Sequence, residues 1–87
     1  MRTRITKRDY ELALQEKLEL AASICTSCLV YQAAKRKGLK VAWVGYSEIE
    51  LSGSVYKLAK SARRVSRAFR ESWPSFIGKT ITLPDVK

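Results

Sequence analysis

The sequence predicts an α+β fold with the element order α-β-β-β-α-β, a small antiparallel sheet and two helices packed on one face of it. Three observations carry that expectation. Apolar residues recur with the helical period of about 3.6 over residues 7–37. The period changes to two over residues 40–58, with a Ser-Gly turn inside the stretch. A second helical pattern then covers residues 59–73, and a short alternating run ends at Pro84.

The first helix opens on a capping box, in which Thr6 and Asp9 stand three residues apart and aspartate replaces the usual glutamate. At about 100° per residue, Tyr10, Leu14, Leu18, Ala21, Ile24, Cys25 and Cys28 share one face. Gly38 follows Lys35, Arg36 and Lys37, a glycine C-cap behind a cationic last turn that suits the helix dipole. The helix is expected to be continuous, with the hydroxyl-rich residues 23–27 as the place for a break.

In the strand that follows, Val41, Trp43 and Gly45 alternate with Ala42, Val44 and Tyr46. Glu48 and Glu50 point out, Ile49 and Leu51 in. Ser52-Gly53 supplies a hairpin turn, and the return strand is expected to turn Val55 inward beside Leu51 or Ile49. On the second helix Leu58, Ala62, Val65, Phe69 and Trp73 share one arc, so Phe69 reads as a core residue worth about 3–5 kcal/mol. Pro74 stops that helix. Ile81 and Leu83 alternate with Thr80 and Thr82 in a last strand at a sheet edge. The chain reads as one small basic domain over residues 1–87, with residues 1–6 a flexible basic arm and 84–87 a tail.

Composition narrows the function classes. The chain has 87 residues, with 17 Lys and Arg against 8 Asp and Glu, a net charge of +9 and no histidine. A histidine-based triad and a His-ligated metal site are therefore excluded within this chain. An apolar share of 46% is ordinary for a folded domain. No stretch approaches the roughly 20 apolar residues of a membrane span. The basic start, with Arg2, Arg4, Lys7 and Arg8 and no apolar run behind it, does not read as a secretory signal. The expected location is the cytoplasm, with no membrane partner and no cofactor.

Cys25 and Cys28 have the spacing of a redox pair or half a zinc site. Zinc needs four ligands, and a redox pair belongs at a helix N-terminus, whereas these two fall mid-helix on the apolar face. They read as core thiols, with metal or disulfide sharing between molecules as the rival. Glu48 and Glu50 lack a histidine or nucleophile nearby and read as a solvated strand edge, so no catalytic residue is assigned.

The strongest signal is the face of the second helix that bears Lys57, Lys60, Arg63, Arg64, Arg67 and Arg70. Like charges four residues apart, as in Lys60 with Arg64 and Arg63 with Arg67, destabilise an isolated helix. Arginine supplies four of the six, which suits forked contacts to phosphate. Lys35, Arg36 and Lys37 form a second candidate group, and the N-terminal cations a third. A continuous first helix would hold these last two groups about 45 Å apart. Trp43, Tyr46 and Tyr56 are either core residues or platforms for stacking bases.

Residues 28–83 resemble a group of short hypothetical proteins of bacteriophages. The matching pieces are Cys28 with Ala33-Ala34-Lys35-Arg36, Val44-Gly45-Tyr46, Gly53 to Tyr56, Phe69, and Phe76 to Leu83. Leu29 stands where that group usually has proline, and Arg70 where it often has aspartate. The resemblance implies a phage or mobile-element origin, hence a host-cell cytoplasm; that group has no assigned activity to carry over. The expected function is non-enzymatic binding of nucleic-acid phosphates, DNA or RNA, through the basic helix. The alternative is an inhibitor that binds an acidic surface on a host defence or transcription protein.

Overall fold

A computed structural model of the chain describes residues 1–19 and 29–86. The fold is α+β. Its elements are β1 (Arg2–Arg4), α1 (Lys7–Glu19), α2 (Leu29–Arg36), β2 (Val41–Val44), β3 (Glu48–Leu51), β4 (Ser54–Lys57), α3 (Lys60–Arg67), a 3-10 segment (Arg70–Phe76) and β5 (Thr80–Thr82).

The strands form two antiparallel sheets where one was expected. One is the meander β2-β3-β4; the other pairs β1 with β5. The expected N-terminal arm is therefore a strand: Thr3 lies opposite Ile81, both buried, while Arg2 and Arg4 face outward opposite Thr82 and Thr80. The tail is tied as well. The Leu83 amide donates to the Met1 carbonyl at 2.6 Å, and the Met1 ammonium meets Asp85 Oδ1 at 2.8 Å. That hydrogen bond and charge hold the exposed Asp85 carboxyl below its ordinary value.

The capping box forms as expected. Thr6 N–H donates to Asp9 Oδ2 at 3.0 Å, and Asp9 N–H donates to Thr6 Oγ1 at 3.1 Å. The continuous helix does not. α1 and α2 pack against each other, and Arg36 Nε reaches Asp9 Oδ1 at 3.1 Å across 27 residues of sequence. A straight helix would hold those residues about 40 Å apart. α1 and α2 therefore run in opposite directions. Cys25, Cys28 and the hydroxyl run at 23–27 lie outside the described residues.

α2 is the centre of the core. It touches α1, β2 and α3, and it buries Leu29, Val30, Ala33 and Ala34. Two consecutive alanines allow close approach by more than one neighbour. Its C-terminus ends as the sequence requires, with Gly38 at φ +87°, a backbone conformation that glycine adopts without strain. Gln32 shares this interior at 3% exposure, and among the described residues its Nε2 has no hydrogen-bond partner. A buried donor left unsatisfied costs about 1–3 kcal/mol. Gln32→Met keeps the shape and removes the donor, so it is expected to raise stability by about 1 kcal/mol, read as a higher urea midpoint.

In the meander, Val44, Ile49 and Tyr56 are cross-strand partners on the core face, with Val44 and Ile49 fully buried. Trp43, Glu50 and Val55 form the neighbouring row on the outer face, and Trp43 Nε1 donates to Glu50 Oε1 at 3.3 Å. Val55 is 51% exposed, which corrects its expected inward position. The Ser52-Gly53 turn pairs Leu51 with Ser54, and that register turns Tyr56 inward instead. An irregularity between Val41 and Trp43 likewise breaks the simple alternation of β2, so Val41 and Val44 both oppose core residues of β3.

The second helix is shorter than its apolar pattern. α3 ends at Arg67 because Ala68 (ψ 144°) and Phe69 (ψ 153°) are extended, and the 3-10 segment then carries Pro74 within it. Leu58, Ala62, Val65 and Trp73 are buried as expected, but Phe69 is 80% exposed. The two extended residues rotate it off the face that a continuing helix would bury. Phe69→Ala is accordingly expected to change stability by less than about 0.5 kcal/mol, against the 3–5 kcal/mol of a core phenylalanine. A thermal melt of the variant checks this.

Candidate nucleic-acid interface

Lys60, Arg63, Arg64 and Arg67 are all exposed and fall within about 100° of the α3 helical wheel. Ala62 and Val65, buried, lie opposite. The flanks of the helix are two serines, and each is tied to a different sheet. Ser61 Oγ accepts the Thr82 N–H of β5 at 3.0 Å. On the other flank Ser66 Oγ donates to the Gly45 carbonyl just beyond β2. The Leu58 amide, at the helix entry, donates to the Ser47 carbonyl at 2.8 Å. α3 thus cannot roll about its axis without breaking a bond on either side, and its orientation holds the cations toward solvent. The two serine bonds were not read from the sequence; the signal was a pair of hydroxyls at the edges of a one-signed stripe.

The electrostatics of α3 are uncompensated. Among the described residues none of its four cations forms an ion pair. Ala59 offers no side-chain cap, and the first turn contains Lys60 and no acid. Both features oppose the helix dipole, whose positive end lies there.

The other sequence candidates fall elsewhere. Lys57 is on β4, not on the helix, and lies opposite Glu48 in the ladder. Arg70 opens the 3-10 segment beyond the extended break, so it does not continue the α3 stripe. Lys35 and Lys37 are exposed at the end of α2, and Lys35 Nζ stands 5.8 Å from the Tyr31 ring centroid, a cation–π contact. Arg36 is committed to the fold. Its guanidinium meets both Asp9 carboxylate oxygens, Thr3 Oγ1 at 3.1 Å and the Arg4 carbonyl at 2.7 Å. That contact also brings the α2 exit beside the N-terminal cations, which the continuous-helix expectation had kept apart.

Of the three aromatic candidates, Tyr56 packs against the core, Trp43 is half-buried, and Tyr46 is 72% exposed. A shallow hollow opens between residues 38–42 and the hairpin turn at 52–53, lined by Lys40 and no acidic side chain. Among the described residues no three Cys, Asp or Glu side chains converge, and no helix is long and apolar enough to cross a membrane. No family model matches the chain, and neither a curated protein nor a solved structure matches it.

Proposed function

We propose that this chain is a non-enzymatic binding protein of phage or mobile-element type that grips nucleic-acid phosphates through α3, with little sequence preference. One observation carries the reading: four exposed cations with no carboxylate partner among the described residues, on a helix whose roll is fixed from both flanks. Fixing the roll costs nothing extra when a ligand arrives, so the stripe is preorganised for a linear anion. Phosphate contacts by arginine and lysine position a protein on the backbone without reading bases. Asparagine, a standard reader of adenine, is absent from the chain.

The test is binding of a labelled duplex followed by fluorescence anisotropy over a salt series. Four phosphate contacts predict a log–log slope of about −3.6, from −0.9 per contact. Absence of binding near 0.1 M salt, together with one protein partner captured from lysate after nuclease treatment, would replace this reading with that of an inhibitor of a host protein.

A further inference from the structure

Resting on the reading of α3 as a phosphate grip, we infer that the ligand is an unpaired nucleic-acid strand whose bases stack on Phe69 and Tyr46. Phe69 is one of two phenylalanines in the chain, and it stands 80% exposed. Its backbone is not loose: the Ala68 amide donates to the Val65 carbonyl at 3.2 Å, and the Phe69 carbonyl accepts from the Ser72 amide at 2.9 Å. The ring is therefore presented at a fixed point, just past the last arginine of the stripe.

Tyr46, 72% exposed, stands on the β2–β3 turn that runs alongside α3. Gly45, directly before it, is bonded to Ser66, and Ser47, directly after it, to Leu58. Ser66 precedes Arg67 and lies one turn from Arg63, so Tyr46 borders the Arg63 and Arg67 side of the stripe. Chain geometry keeps the Cα atoms of Tyr46 and Phe69 within about 20 Å of each other, a span of a few nucleotides. Cations that track a backbone beside exposed aromatic faces are the two components of single-strand recognition. A duplex keeps its base faces stacked on one another and offers only phosphates and groove edges. Charge thus serves either form, whereas the rings are of use only to the unpaired one.

The experiment compares labelled oligo-dT and oligo-U of about 20 nucleotides with a duplex of equal length, using wild type, Phe69→Ala, Tyr46→Ala and the double variant Arg63→Gln with Arg67→Gln. Wild type is expected to bind at least one single strand more tightly than the duplex. Each ring deletion is expected to weaken single-strand binding roughly tenfold or more, leaving duplex affinity and the salt slope unchanged. The arginine variant is expected to weaken both forms and flatten the slope. A thermal melt verifies that each variant is folded. Ring deletions without effect on single strands, while the arginine variant weakens binding, overturn stacking and leave the phosphate grip standing. Failure of wild type to bind any of the three probes near 0.1 M salt overturns both. A dimer in sedimentation that Phe69→Ala dissociates, with affinity unchanged, assigns the ring to self-association and overturns the inference.

Discussion

Asp9→Ala is expected to lower stability by about 3–4 kcal/mol, which for a domain of this size moves the melting midpoint down by about 12–32 °C. Asp9 is 1% exposed and accepts from three donors: the Thr6 amide, Arg36 Nε and Arg36 Nη2. Breaking a buried pair by removing one partner costs about 3–5 kcal/mol, because the other charge is left uncompensated. Here the surviving partner, Arg36, is 37% exposed and regains some water, which argues for the lower end of that range. Loss of the capping contact adds about 1 kcal/mol. The total is a large part of the roughly 4–13 kcal/mol expected of a chain this long. Asp9→Asn keeps the shape and an acceptor for Thr6 but removes the charge, so its cost falls between alanine and wild type. Urea unfolding of both variants, with Arg36→Ala and the double variant to close a cycle, reads the coupling directly. A loss below about 1 kcal/mol for Asp9→Ala would show that the α1–α2 reversal does not depend on this pair.

That reversal also marks the limit of what the residues disclose by themselves. The Thr6–Asp9 box is local, three residues wide, and the spacing alone predicts both of its hydrogen bonds. The Asp9–Arg36 contact spans 27 residues and needs α2 to pack back on α1, which the wheel gives no reason to prefer over a straight helix. Phe69 fails for a related cause. Its position on the apolar arc assumes that the helix runs to Trp73, but the chain becomes extended at Ala68 with neither glycine nor proline to announce it. Trp73 is still buried, because the 3-10 segment carries it back to the core by another path. Val55 was lost to register, which is set by the pairing of Leu51 with Ser54 across the turn. The cationic stripe was legible because charge and helical spacing are local properties. Its fixed roll was not, since Ser61 reaches β5 and Ser66 the turn after β2, each 21 residues away in sequence.

The stripe also yields the largest expected effect on binding. Arg63→Gln with Arg67→Gln removes two of the four α3 cations and the repulsion between them, so stability is expected to stay equal or rise by a few tenths of a kcal/mol, about the 0.2–0.5 kcal/mol of one such pair. Nucleic-acid affinity moves the other way. A slope of about −0.9 per duplex contact means that each contact contributes roughly eightfold at 0.1 M salt, so losing two weakens binding roughly 60-fold. The log–log slope should flatten by about 1 to 2 units, and the loss should be uniform across sequences, because phosphates carry no base identity. Two single substitutions set the contrast. Lys57→Gln removes a cation that lies opposite Glu48 on β4 and should change affinity little. Arg36→Gln removes a guanidinium held by Asp9, Thr3 and the Arg4 carbonyl, and should lower stability while leaving the salt slope of the folded protein unchanged. If the double variant instead lost stability and kept its affinity for every probe, the stripe would be part of the scaffold, and neither nucleic acid nor an acidic protein surface would explain its single sign.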